Sequence, residues 1–412
     1  MVAAFGVLLA PAQPRCYTRI AMSDPSATTS ARASQPGSRS AAQLATAASP
    51  ERGETKRRAS ASRLPLYLAI AYILLIVLAS LSPFTGWRDT GAPVLAFLFE
   101  TTRNYQSRFD LMSNVVGYAP IGFLVCMGVL SRLRPAFAVL LASLGGLLLS
   151  LAMESLQSYL PTRISSVVDF ACNSSGAFAG ALLAALLGQR LLRSRRLAAV
   201  RDQFFYPADA TPAGLVLLGF WLLSQTNPSI SLFGNGDLRA WLGEDAAGFH
   251  SAQFFIAAEA VVVALNLAGA GLLAANLTVN NASAGRLIVA LLAAVFAIKS
   301  FAVGMIFDAD RAFAWLTFGA WLGLLAGAAS LIVLIGQQRR KRFAIALGSL
   351  ALATVLVNWL PLNPYLISSF ELWREGQYLN LNASTRVVSA LWPFAAMLYL
   401  AAHSGRRERV YT

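Results

Sequence analysis

Asp110-Leu-Met-Ser-Asn114-Val-Val-Gly117-Tyr-Ala-Pro120-Ile-Gly122-Phe-Leu-Val-Cys126-Met-Gly-Val-Leu130 is an apolar run of membrane-crossing length that opens on an acid, an amide and a glycine. These three stand at offsets of zero, four and seven, on one stripe of an α-helix. Fifty-nine residues later the pattern recurs as Asp169, Asn173 and Gly176. Polar groups at the edge of a bilayer cost several kcal/mol unless they face protein or water, so such a stripe is either an interhelical packing device or a functional site.

The composition around it requires a membrane. Hydrophobic residues make up 57% of the 412-residue chain and charged ones 13%, more apolar surface than one soluble core would hide. The predicted class is an all-α, polytopic integral membrane protein. The net charge of +14 comes from arginines gathered between apolar runs, as orientation signals are, so a nucleic-acid partner is excluded. Cys16, Cys126 and Cys172 give no disulfide framework or CxxC pair, and His250 and His403 lie far apart, so neither a metal site nor a cofactor is expected. Residues 1–62, rich in Ala, Ser, Pro and Arg without periodicity, read as a disordered cytoplasmic tail. Met22 resembles a second translation start.

Ten spans are predicted, near 64–82, 112–130, 136–157, 167–190, 212–226, 252–275, 287–307, 312–336, 343–360 and 387–403. Basic clusters precede the first span (Arg57, Arg58, Arg63) and follow the second (Arg132, Arg134), the fourth (Arg190 to Arg196), the eighth (Arg339 to Arg342) and the tenth (Arg406, Arg407, Arg409). All fall on one side, which places both termini in the cytoplasm and the loop 158–166 outside. The expected organisation is a four-helix module at 63–200 followed by a six-helix region at 201–412. Gly176 and Gly180 in the fourth span, and Gly319, Gly323 and Gly327 in the eighth, are spaced for close helix contact.

Orientation makes the charges of the first four spans converge. Arg103 and Arg108 lead into Asp110 and Asn114; Glu154 and Gln157 end the third span; Arg163 sits in the turn; Asp169 and Asn173 begin the fourth. Each aspartate lies where it can cap its own helix N-terminus. Glu154 precedes a helix C-terminus, where negative charge is disfavoured, so it needs an arginine partner or a neutral carboxyl; Arg163 is the nearest, with Arg103 and Arg108 as alternatives. An arginine left over would hold a phosphate or carboxylate.

The run from Asp110 to Gly122, then Glu154-Ser-Leu-Gln157, Pro161-Thr-Arg163 and Asp169-Phe-Ala-Cys-Asn173-Ser-Ser-Gly176, resembles in order and spacing the VanZ-like family of bacterial membrane proteins over about residues 64–192. The resemblance implies a small helical module in the bacterial cytoplasmic membrane, named for a member encoded with glycopeptide-resistance genes and linked to lowered teicoplanin susceptibility. Its polar positions carry over onto Asn114, Pro120, Glu154, Gln157, Pro161, Arg163, Asp169, Asn173 and Gly176. It says nothing of the helices after residue 200.

There, Glu259 and Lys299 sit at matching depths in the sixth and seventh spans and are expected to form a buried ion pair. For the first half, the expected function is recognition of an anionic lipid headgroup or a lipid-linked wall precursor by Arg103, Arg108, Asp110, Asn114, Gln157, Arg163 and Asn173. Glu154 or Asp169 is placed to act as a general base if the site is catalytic. The sequence leaves binding and catalysis both open, fixes no oligomeric state, and admits two rivals, a transporter or flippase and a non-catalytic membrane scaffold.

Overall fold

The computed structural model describes residues 63–404 apart from 83, 90, 92, 100–107, 207–209, 243–250, 307–308, 362 and 364–378; the expected tail lies outside the described residues. The chain is helical: α1 Leu64–Leu81, α2 Arg108–Val129, α3 Pro135–Gln157, α4 Val167–Arg193, α5 Arg195–Phe204, α6 Thr211–Ser224, α7 Ala252–Leu277, α8 Asn281–Ile306, α9 Phe318–Leu334, α10 Arg339–Trp359 and α11 Leu379–Ser404. A four-residue helix at Arg239–Leu242 and two short 3-10 turns complete the described elements.

Each of the ten apolar runs carries a helix, the eighth only from Phe318 to Leu334. Among the described residues, eight helices are long and apolar enough to cross a bilayer, while α6 and α9 are shorter apolar helices of 14 and 17 residues. The protein is thus a multi-pass helical membrane protein. Side chains such as Ile332 (80% exposed) and Trp359 (81%) face outward as lipid-facing residues do. The start signals are local. Proline occupies the first turn of α1, α3 and α6, where its missing N–H costs nothing, and Ser166, Ser251 and Thr317 cap α4, α7 and α9 by accepting backbone N–H groups.

Two groups of helices result. In the first, α2 lies along α4, with α3 against both and α1 against α2. In the second, α7 is the centre, touched by α6, α8, α9 and α10, with α11 closing against α6 and α10. α1 joins the groups by meeting α6 and α11. At the other end of the chain's crossing between groups, Tyr206 N–H donates to Leu277 O (2.9 Å) and Val279 N–H to Phe204 O (3.1 Å), so the segment after α5 is stitched to the α7–α8 turn.

Both groups rest on glycine. α2 and α4 run in the same direction, and a Cβ added at Gly176, Gly180 or Gly122 would collide with the carbonyl oxygen of Val115, Ala119 or Ala177. Parallel α7 and α9 repeat the device: a Cβ at Gly319 would lie 2.9 Å from Ile256 O, and one at Gly323 2.6 Å from Ala260 O. Backbones this close gain dispersion contact along the whole seam, the main source of helix association where no water drives it. Gly117 differs, since nothing lies within 4 Å of where its Cβ would be.

The contrast yields a controlled test. Gly180→Ala is expected to lower the thermal midpoint of the detergent-solubilised protein, by a destabilisation of roughly 1–3 kcal/mol for an overpacked contact. Gly117→Ala should leave it level or slightly higher, because alanine is the better helix former. Size-exclusion chromatography after a heating series reads both, and equal loss in the two variants would remove the carbonyl contacts as the cause.

Candidate functional site

The ends of α2, α3 and α4 build one polar cluster. On α3, Ser150 and Glu154 are four apart and share a face; on α4, Asp169 and Asn173 do the same. The two ladders meet in antiparallel fashion. Asn173 Nδ2 donates to Ser150 Oγ (3.1 Å), and one turn along, Glu154 Oε2 accepts the backbone N–H of Ser166 (3.0 Å), the N-cap of α4. The Ser165 hydroxyl donates to Glu154 O (2.7 Å). From α2, Asn114 Nδ2 donates to Asp169 Oδ1.

Glu154 is 3% exposed, and its position has a clear electrostatic reason. It ends its own helix unfavourably, but its carboxyl is turned onto the start of α4, where unpaired N–H groups and the positive dipole end favour an anion. Asp169, in the first turn of α4, draws on the same end and lies near enough for the two carboxyl groups to feel each other's charge.

Of the arginines considered as partners for Glu154, the nearest in sequence, Arg163, does not fill that role. Among the described residues no ion pair joins them. Arg163 instead points to the C-terminal end of α1, where one guanidinium nitrogen donates to Ala79 O (3.2 Å) and Ser82 O (2.9 Å). Gln157 Nε2 donates to Ser80 O (3.0 Å) on the same helix end. A helix C-terminus carries unsatisfied carbonyls and partial negative charge, and a cation with five fixed donors suits it well. Burial lowers the pKa of Arg163 from its usual value, and a guanidinium still holds its charge there.

The duplicated stripe also divides its labour. Asn114 bonds across to Asp169 of the other copy, whereas Asn173 bonds to α3. Gly176 meets a backbone carbonyl; Gly117 faces open space, and its own carbonyl accepts the Tyr72 hydroxyl of α1 (2.9 Å). Arg103 and the side chains of Arg108 and Asp110 lie outside the described residues. Ser150, Ser165 and Ser166 were not foreseen. Ser166-Val-Val-Asp169 is a cap pattern of hydroxyl, two residues and an acid, which was legible; Ser150, four before Glu154, was legible only as a neighbour.

One buried acceptor in the cluster stands out. Asn173 is 5% exposed, and its Oδ1 has no hydrogen-bond partner among the described residues. Beside it stand two carboxyl groups and the buried Tyr118 hydroxyl of α2, which also has no hydrogen-bond partner among the described residues, so the cluster offers open acceptors and one open hydroxyl to a ligand with hydroxyl, amide or amine groups.

In the second half, the expected Glu259–Lys299 ion pair does not form. Glu259 Oε2 accepts the Thr317 hydroxyl (2.7 Å) at the start of α9, and Lys299 Nζ donates to Asn227 O (3.3 Å) and Ile230 O (2.9 Å). Equal depth was the basis of the expectation, but depth does not fix the rotation of each helix. Glu259 faces the α7–α9 seam, and Lys299 faces the segment after α6.

No curated protein and no solved structure matches this chain. A family model does, over the segment that carries the polar cluster: residues 56–188, ending inside α4, match the model described as VanZ/LLP1, so this part of the protein is similar to that family.

Proposed function

We propose that the protein is a cell-envelope membrane protein whose VanZ-like domain holds the headgroup of a lipid or lipid-linked wall precursor at the meeting of α2, α3 and α4. The observation that carries this reading is the unpartnered Asn173 Oδ1 beside Glu154 and Asp169. Three acceptors in one buried cluster favour a ligand that brings donors, as the hydroxyl and amide groups of a glycosylated lipid precursor do. Positive charge for a phosphate falls to Arg103 and Arg108 in this reading, because Arg163 is committed to α1. In a bacterial cytoplasmic membrane with the loop 158–166 outside, such a site would meet wall precursors after they have crossed, and altered teicoplanin susceptibility would be the cellular consequence. Glu154, held on the α4 N-terminus, would be the group to accept a proton from a ligand hydroxyl if the site is catalytic.

A second reading is favoured by specific bonds. Asn114–Asp169, Asn173–Ser150, Gln157–Ser80 and Arg163–Ala79 each tie one helix or turn to another, as expected of a scaffold in which polar groups are interhelical glue.

Two measurements separate the readings. Native mass spectrometry of the purified protein after exposure to lipid extract should show an adduct on wild type that Glu154→Gln loses, while Glu154→Gln keeps its thermal midpoint, since an amide oxygen still accepts the Ser166 N–H. Equal retention by both proteins sinks the headgroup site. Arg163→Ala should behave in the opposite way, keeping the adduct but losing stability, by about 1.5–3 kcal/mol for hydrogen bonds from a charged donor. If Arg163→Ala instead kept its midpoint and lost the adduct, its role at the end of α1 would be secondary to ligand contact.

A further inference from the structure

The helix α6 stops early. Its 14 residues rise about 21 Å, short of the roughly 30 Å hydrocarbon layer. The chain does not leave the protein at that point. Gln225, Asn227, Phe233 and Asn235 are each at most 2% exposed, so most of the segment from 225 to 236 is irregular backbone buried against the helices, with Ser229 exposed. Non-helical backbone at such depth is tolerated only where protein or a polar cavity satisfies it. Here it is pinned by three hydrogen bonds from two helices. Asn227 Nδ2 donates to Thr385 Oγ1 (3.1 Å) of α11, the Gly236 N–H donates to Ser389 O (2.9 Å), and Asn358 Nδ2 of α10 donates to Gly236 O (2.7 Å). The turn requires left-handed backbone at Phe233 (φ 54°) and Gly236 (φ 91°).

Lys299 of α8 ends in this segment. It is 0% exposed, and its ammonium donates to two backbone carbonyls just past the end of α6, those of Asn227 and Ile230. The position is seven residues, about 10 Å, inside the C-terminal end of α8. Among the described residues no carboxylate forms an ion pair with it: Asp237 pairs with Arg239 (2.7 Å), and Glu259 accepts from Thr317. What stabilises the charge is a set of carbonyl oxygens and the negative dipole end of α6, the same donor set that holds a dehydrated monovalent cation where a membrane helix is interrupted. An interrupted short helix is also the best structural pointer to a binding site in a membrane bundle.

We propose that the break after α6 is a built monovalent-cation site, lined by the carbonyls of Asn227 and Ile230 and occupied at rest by the chain's own Lys299 ammonium. A small inorganic or alkylammonium ion takes the same position when the side chain is withdrawn. The tethered ammonium holds the place against external cations in the wild type, so a free cation enters only where the lysine side chain has been removed. The site lies outside residues 56–188, the segment similar to the VanZ-like family.

Thermal unfolding of full-length protein in detergent tests this. Wild type should have the same midpoint in sodium, potassium, ammonium, methylammonium and choline chloride at one ionic strength. Lys299→Ala should fall well below wild type in choline, which is too large for the vacated space, and recover by about 3 °C or more in at least one of the small cations. Lys299→Gln serves as the milder variant, with a neutral donor that fills part of the site and a smaller recovery. Identical midpoints across all salts for both variants overturn the proposal. So does failure of both variants to accumulate as folded protein in cells, where small cations are always supplied.

Discussion

Everything in this protein hangs from helices that touch backbone to backbone. α2 and α4 lie so close that three glycines face carbonyl oxygens with no room for a methyl group. That closeness brings Asn114 of α2 within reach of Asp169 of α4, and it sets the two helix ends against which α3 lays Ser150 and Glu154. The polar cluster is a by-product of the seam: were the helices a side chain further apart, amide and carboxylate would not meet. The second half repeats the logic with α7, α9 and their glycines, and again a carboxylate is tied across the seam near a helix N-terminus, here Glu259 on Thr317.

This construction explains which parts were legible in the sequence. All ten apolar runs carry a helix, because hydropathy over some twenty residues is a local property. Caps at Ser166 and Thr317 and the stripe of Gly319, Gly323 and Gly327 are local too, and each does in the fold what its spacing implies. The gathering of Asn114, Glu154, Asp169 and Asn173 followed from alternating helix direction, since alternation alone sends these ends to one level.

Partner choice was not legible. Arg163 and Glu154 carry opposite charge nine residues apart, and charge alone pairs them. The fold gives each a helix terminus instead, because α1 ends and α4 begins beside the same turn, and a dipole end offers several aligned groups where a side chain offers one. Glu259 and Lys299 fail to pair for a related reason: matching depth says nothing of which way each helix is turned. Gly117 shows the limit of a stripe. Its spacing equals that of Gly176, yet Gly122, a few residues further on, makes the backbone contact in α2.

The bonds on the end of α1 bear on how the protein is made. The carbonyls of Ala79, Ser80 and Ser82 find donors in residues 77 to 84 positions later in the chain. During synthesis α1 emerges long before Gln157 and Arg163 exist, so interfacial water must hold those carbonyls until the α3–α4 hairpin has inserted and turned its loop toward them. Of the helices α1 to α4, the one made first therefore completes its end with donors that are made later in the chain.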